Sequence, residues 1–122
     1  MISFMEKRVD ERVDLTAYAK FKILSDSDGA VSTGYEEGTT LNISRSGLCM
    51  QVPRKLVEGN VIRIEISAIG NSVRAIKAFC EVQWCVKKND NTDFEAGLSF
   101  IALKEEDIDY LNLLVEKHKR AV

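Results

Sequence analysis

The chain is poor in histidine, cysteine and long apolar runs, and each shortage argues against a class of protein. Its 122 residues include one histidine and three cysteines. No apolar stretch approaches the roughly 20 residues that a membrane-spanning helix requires. The opening residues, "MISFMEKRVDER", lack the basic, apolar and small-residue order of a signal peptide. We therefore expect a protein that does not insert into a membrane.

The cysteine and histidine content argues against secretion and catalysis. Cys49, Cys80 and Cys85 cannot all pair, and none has C-x-x-C spacing, so we expect free thiols in a reducing cytoplasm. His118 lies among basic residues near the C-terminus, where a cation favours a helix end. Without a second histidine there is no catalytic dyad and no zinc-ligand spacing. We expect no enzyme activity, no bound metal and no cofactor.

Negative charge is in slight excess, which affects the choice of partners. The formal net charge of −2 argues against DNA or RNA as a partner, because such proteins usually carry a basic excess. An anionic ligand must therefore meet a local cluster of cations. Lys7, Arg8 and Arg12 form such a cluster within residues 1–14, which we interpret as a mobile arm. Residues 15–122 are long enough for a single domain with one core.

Apolar and polar residues alternate along several short segments, and this period predicts β-strands. About six strands are expected, over residues 15–24, 35–42, 47–52, 61–67, 73–88 and 93–101. In the longest of them, alternation places Cys80, Val82, Trp84 and Val86 on one face and Cys85 on the other.

The period changes to that of a helix near the C-terminus. Residues 105–119 place Ile108, Leu111, Leu114, Val115 and His118 on one helical face. Because edge strands must be covered or closed, we predict a small six-stranded antiparallel β-barrel with this C-terminal helix packed over one opening.

Two polar motifs are candidates for a binding site. Arg8 and Arg12 stand four apart in the arm, and guanidinium groups match phosphate oxygens or a guanine edge bidentately. Ion pairs with the neighbouring acidic residues are the alternative. In "NISRSG", the Asn42 amide suits a base edge, and alternation places the Ser44 hydroxyl on the same side. Gly47 permits positive φ and leaves room for a flat ligand; a plain strand junction is the alternative.

Together the two motifs resemble those of the PilZ domain family, bacterial receptors for cyclic di-GMP. The family pattern is R-x-x-x-R followed by D/N-x-S-x-x-G, and this chain has "RVDER" at 8–12 and "NISRSG" at 42–47. Later segments, "GLCMQVP", "EGNVIRIEI", "CEVQW" and "EAGLSFIAL", resemble the family's strands in the same order. The resemblance implies a PilZ-like split barrel and a receptor or adaptor without catalytic activity.

The resemblance also implies roles for single residues. Arg8 and Arg12 would hold phosphates and guanine edges, and Asn42, Ser44 and Gly47 would seat a guanine. Lys7, just before the first motif, would help to neutralise a second stacked ligand, so we expect two ligands per chain. The effect would pass to a separate protein partner. The alternative is a PilZ-like interaction module that does not bind nucleotide, and either a monomer or a homodimer fits the sequence.

Overall fold

The computed structural model describes residues 12–25, 34–67, 75–88 and 93–120, with the side chains of 25 and 118–120 excepted. Within these ranges seven strands precede one helix. The strands are β1 (Val13–Asp14), β2 (Tyr18–Ser25), β3 (Glu36–Ile43), β4 (Gly47–Val52), β5 (Val61–Ile66), β6 (Ile76–Lys87) and β7 (Phe94–Leu103), and the helix is α1 (Glu105–Arg120).

Six of the strands close into an antiparallel ring. Their order is β3, β2, β5, β6, β7 and β4, and β4 pairs back to β3. Strand β1 pairs with the end of β3 at Val13 and Ile43, and β2 pairs further along β3 from Tyr18 opposite Thr39. β1 therefore extends the line of β2. The predicted six-stranded antiparallel barrel with one C-terminal helix is confirmed.

The alternation of the strands fills the barrel with aliphatic side chains. Ile62, Ile64 and Ile66 of β5 are fully buried, and the residues between them are only partly buried. Helix α1 contacts β1 and β6. Burying these side chains contributes roughly 1.5–3 kcal/mol for each large aliphatic residue, and this supplies most of the drive for closure.

The buried face of α1 differs from the prediction at its first turn. Ile108, which was predicted to face the barrel, is 41% exposed, whereas Asp107 is 5% exposed. Asp107, Leu111, Leu114 and Val115 are all buried. Their spacing of four, seven and eight residues forms one helical stripe, which is rotated away from Ile108. A pattern based on apolar residues does not detect this stripe, because its first member, Asp107, is acidic.

A β-bulge in β6 overturns the predicted faces of its second half. Relative to β7, the register shifts between Val82 and Trp84, so Gln83 is an extra residue. Val82 is buried, but Trp84 is 38% exposed, and Cys85 packs against the core instead. Both Cys80 and Cys85 therefore point inward, contrary to the alternation, and both are free thiols.

Trp84 lies across β7 on the outside of the barrel. A Cβ atom added to Gly97 would lie 2.2 Å from the indole Nε1 and 2.3 Å from Cε2. The indole therefore rests on the bare Gly97 backbone, which is its facing residue in the ladder. No helix among the residues that the structure describes is long and apolar enough to cross a membrane.

Burial of Cys80 predicts a loss of stability in alkali. Burial raises the pKa of this thiol from 9.0 to about 12. The unfolded thiol ionises above pH 9 while the folded thiol keeps its proton, so stability is complete below pH 9 and is lost as the pH rises toward 12. Between pH 9 and 11 we expect the wild type to lose on the order of 2 kcal/mol more unfolding free energy than Cys80→Ala. Urea denaturation at several pH values measures the unfolding free energy of both proteins. An equal decrease with pH in the wild type and in Cys80→Ala would contradict the prediction.

Candidate ligand-binding site

One residue from each polar motif takes part in a contact on the outer face of the barrel. The Arg12 Nη1 atom donates a hydrogen bond of 2.8 Å to Asn42 Oδ1, across 30 positions of sequence. Pairing of β1 with β3 sets Asp14 opposite Asn42 and Val13 opposite Ile43. Ile43 is fully buried, whereas Arg12 is exposed and Asn42 half-buried, so the contact lies on the outside. The last residue of R-x-x-x-R is thus placed beside the first residue of the second motif.

A bulge in β3 turns Asn42 outward. Thr40 and Ile43 are both fully buried, although strict alternation would place them on opposite faces. The register against β4 shifts between Thr40 and Asn42, so Leu41 is the extra residue. Without this insertion, the parity set by Thr40 would place Asn42 inside the barrel. The exposure of the Asn42 amide therefore depends on the bulge.

The hydroxyl group of Thr40 fixes the chain between β1 and β2. It donates to the carbonyl of Leu15 at 2.6 Å and accepts from the backbone N–H of Ala17 at 2.9 Å. Backbone bonds from Leu15 N to Leu41 O and from Thr40 N to Ala17 O flank it. The three residues between β1 and β2 leave the regular ladder there, and the hydroxyl satisfies polar groups that would otherwise be unpaired. Arg12 is held near Asn42 by this anchored segment.

Ser44 lies inside the turn that joins β3 to β4. Its backbone N–H donates to Gly47 O at 2.8 Å. Its hydroxyl accepts from Ser46 N at 3.2 Å and lies 3.3 Å from Gly47 O. The side chain is 1% exposed. The alternation that was expected to place Ser44 beside Asn42 stops at Ile43, and the hydroxyl instead stabilises the turn.

Gly47 is required by close packing against β7. A Cβ atom at this position would lie 2.1 Å from the carbonyl oxygen of Leu98, which is backbone and cannot rotate away. Its φ angle is not in the left-handed region, contrary to the expected use of glycine for positive φ. Ser46 O also accepts from Phe100 N at 2.8 Å. The turn is therefore fastened to β7.

Arg45 connects the same turn to the C-terminal helix. Its Nε atom donates to Asn112 Oδ1 at 2.8 Å, and its Nη2 atom lies 3.0 Å from Glu116 Oε2. A guanidinium group that contacts two residues one helical turn apart fixes both its own position and that of the helix. The turn and α1 are therefore joined by side-chain bonds.

Next to Asn42 the outer face carries a thiol and a carboxylate that sequence reasoning did not identify. Cys49 faces Asn42 in the ladder, and its Sγ atom donates to Glu95 Oε2 at 3.0 Å. Burial, followed by the bond to Glu95, raises the pKa of Cys49 to about 12. The Cys49 bond and an ion pair with Lys88 at 2.9 Å lower the pKa of Glu95. A protonated thiol thus lies beside an ionised carboxylate.

This group of residues carries no local sequence signal. Cys49 and Glu95 are brought together by the pairing of β4 with β7, and the pairing of β3 with β4 sets Cys49 opposite Asn42. Together the outer face offers a guanidinium, an amide and a carboxylate. These groups can bind a polar ligand with both donors and acceptors along its edge.

The remaining predicted site residues, Lys7 and Arg8, lie outside the described residues, and so does the side chain of His118. Within the ranges that the structure describes, no group of three histidine, cysteine, aspartate or glutamate side chains could hold a metal ion.

The fold is a small antiparallel barrel with hydrogen-bond donors and acceptors on its outer face. The chain belongs to the PilZ domain family, whose sequence model matches residues 6–117. Members of this family are receptor and adaptor proteins. A comparison with curated protein sequences gives no significant match.

Two solved structures share the fold at low sequence identity. The Bacillus subtilis inhibitor of motility, MotI/DgrA, has a TM-score of 0.76 and 13% identity, over 92% of this chain and 51% of that chain. This chain therefore spans about half the length of that protein. The PilZ domain of YcgR from Escherichia coli, solved with c-di-GMP, has a TM-score of 0.67 and 11% identity, over 92% and 91% of the two chains.

Replacing Thr40 tests the anchoring of the N-terminal segment. Thr40→Val keeps the volume but leaves the Leu15 carbonyl and the Ala17 N–H without their partner, so we expect a loss of about 1–3 kcal/mol in unfolding free energy. Hydrogen exchange at the Ala17 amide should become faster. Thr40→Ser keeps the hydroxyl and should preserve that protection. A Thr40→Val protein with wild-type stability and wild-type exchange at Ala17 would contradict the assignment.

Proposed function

We propose that this chain is a cyclic di-GMP receptor and adaptor that changes its surface on ligand binding and thereby regulates a separate protein. The observation that supports the proposal is the contact between Arg12, the last residue of the first motif, and Asn42, the first residue of the second. Membership of the PilZ domain family supports it. So does the similarity in fold to the YcgR domain, which was solved with c-di-GMP.

In this proposal the ligand lies on the outer face beside β3 and is covered by the N-terminal segment. Arg8 and Arg12 bind phosphate oxygens or guanine edges, because a guanidinium group offers paired donors to either. The Asn42 amide faces a guanine. Ser44 and Gly47 act by shaping the turn, since the Ser44 hydroxyl and the Gly47 backbone are occupied within it and against β7.

Ligand binding requires exchange of the bond between Arg12 and Asn42. Arg12 is exposed and the bond is open to water, so water can replace it at little cost. A phosphate offers Arg12 an acceptor of opposite charge, which the neutral amide oxygen is not. The free energy therefore favours transfer of the guanidinium from the amide to the ligand.

The adaptor function requires the ligand to alter a surface that a partner recognises. The turn after Asn42 is bonded through Arg45 to Asn112 and Glu116 of α1. A ligand that reorders the N-terminal segment and contacts this turn changes the outer face beside β3. It also changes the position of helix α1 against the barrel. We place this function in the bacterial cytoplasm, where cyclic di-GMP is made and where the free thiols of Cys49, Cys80 and Cys85 stay reduced.

Substitution of the two arginines tests the site. Arg8→Ala and Arg12→Ala should each weaken binding by about 1.5–3 kcal/mol, because each removes a charge-assisted bond. That loss corresponds to roughly 10- to 100-fold in Kd by calorimetric titration with cyclic di-GMP. Arg63→Ala, which removes a guanidinium from the opposite wall, is the matched control and should bind as the wild type does.

Calorimetry also separates this proposal from the interaction-module alternative. Saturable binding that is lost in the arginine variants and kept in Arg63→Ala supports the receptor. Absence of binding by the wild type, or unchanged affinity in both Arg8→Ala and Arg12→Ala, would contradict it. In the latter case the two arginines would serve a protein partner.

The number of ligands per chain is a separate prediction. Two stacked molecules double the phosphate charge in one pocket, so they require additional cations. Arg45 is engaged with α1, which leaves Lys7, Arg8 and Arg12 for this purpose. We expect a calorimetric stoichiometry near two for the wild type and near one for Lys7→Ala, with binding that weakens steeply in salt. A value near one for the wild type, unchanged in Lys7→Ala, would refute the role of Lys7.

A further inference from the structure

A second concave site lies on the wall of the barrel opposite the candidate ligand site. A groove of about 300 Å³ is formed by β5, β6 and the end of β7. In the ring, β6 is separated from β3 by two strands in either direction, and β5 is separated from β4 in the same way. The groove and the contact between Arg12 and Asn42 therefore occupy opposite walls.

The groove combines an apolar floor with a cationic rim. Phe79, Ala102 and Leu103 form the apolar part, and Phe79 is 41% exposed. The strand register brings the apolar part and the rim together, because Phe79 faces Arg63 on β5 and Ala102 on β7. Arg63 and Lys77, together with Lys104 just after β7, supply the rim.

The charges around the three rim cations decide what the groove can attract. Within the part of the chain that the structure describes, the side chains of Arg63, Lys77 and Lys104 make no hydrogen bond or ion pair. Glu65 faces Lys77 in the ladder, but its carboxylate lies 3.8 Å from Lys20 Nζ and does not line the groove, and Glu81 accepts from Gln83 at 3.4 Å. Three cations that line one groove and form no ion pair within the described ranges give a local positive field on a chain of net charge −2.

The size and chemistry of the groove restrict what can occupy it. About 300 Å³ is at the lower limit for small-molecule sites, which span roughly 300–1,000 Å³, and is enough for one large side chain. An isolated phosphate would be attracted to the rim but would leave the apolar floor exposed. A purely apolar side chain would cover the floor and leave the cations unmatched. A peptide with one aromatic or branched side chain between carboxylates satisfies both parts.

We propose that this groove, which we name the basic groove, is the docking site for an acidic segment of a partner protein, with one large apolar side chain seated against Phe79. Carboxylates that flank this apolar side chain form ion pairs with Arg63, Lys77 and Lys104. At protein interfaces, large side chains buried in such pockets contribute much of the binding energy, and charged groups around them favour partners of opposite charge. Because the groove is on the opposite wall, partner and nucleotide are accommodated at the same time.

A peptide titration on the full chain tests the basic groove. The probe is a fluorescein-labelled peptide with a single phenylalanine flanked on each side by glutamates, and binding is followed by anisotropy and by amide NMR shifts. We expect saturable binding that weakens with salt, with shifts at Lys77, Phe79 and Ala102. A peptide with phenylalanine replaced by alanine, and one with glutamines in place of glutamates, should each bind at least about tenfold more weakly.

Variants of the protein provide the matched comparison. Lys77→Glu combined with Lys104→Glu should raise Kd for the peptide at least about tenfold, because it reverses two rim charges. Lys55→Glu combined with Lys87→Glu, which makes the same charge change at exposed lysines elsewhere, should stay within about twofold. Melting temperatures and NMR spectra of both double variants are the control for folding, and we expect them to match those of the wild type.

Three results would overturn the proposal. They are absence of saturable peptide binding, equal weakening in both pairs of lysine variants, and binding to anionic phosphatidylserine vesicles through the same residues in the absence of any peptide binding. Saturation with cyclic di-GMP should leave the peptide Kd unchanged within about twofold, as expected for independent sites. If the wild type binds peptide but not cyclic di-GMP, the receptor function fails and the basic groove stands.

Discussion

The hydroxyl group of Thr40 forms hydrogen bonds with two residues of the segment between β1 and β2, and the geometry of the candidate site depends on these bonds. It bonds to Leu15 O and Ala17 N in a position fully shielded from water, where an unpaired polar group would cost about 1–3 kcal/mol. β1 is only two residues long and could not hold its place by its own ladder bonds. Arg12, which precedes β1, therefore reaches Asn42 because Thr40 fixes the segment behind it.

The hairpin turn that follows Asn42 is attached to β7 at two points and to helix α1. Gly47 presses on the β7 backbone, Ser46 accepts a bond from Phe100, and Arg45 reaches Asn112 and Glu116 on α1. The second motif thus combines Asn42, which we propose contacts the ligand, with residues that hold the turn in position and link it to the helix.

The sequence predicted the elements that depend on local period, and it failed where cross-strand register decides the outcome. Alternation was enough for the six strands of the barrel and for the boundaries of β4, Gly47–Val52. It failed at Trp84 and Cys85 because the extra residue Gln83 becomes visible only when β6 is paired with β7. The glutamate beside Cys49 was missed for the same reason, since Glu95 is distant in sequence.

Residue types in the two motifs predicted one shared binding surface, and that surface stays a prediction. Asn42 contacts Arg12, as a shared surface requires, although the bulge at Leu41 that produces this orientation leaves no mark in the sequence. Ser44 and Gly47 were expected beside the ligand, and their structural surroundings are the turn and β7. A small hydroxyl and a glycine suit both settings, so residue type alone could not separate contact from support.

The central claim is that the arm and the hairpin form one nucleotide site on the wall that carries β3 and β4. Amide NMR of the full chain titrated with cyclic di-GMP tests this most directly, because it locates the ligand without any substitution. The account predicts large shifts at Arg12, at Asn42 and along the turn to Gly47, and unchanged signals at Arg63 and Lys77. Shifts confined to β5 and β6, or an unaltered spectrum at saturating ligand, would contradict it.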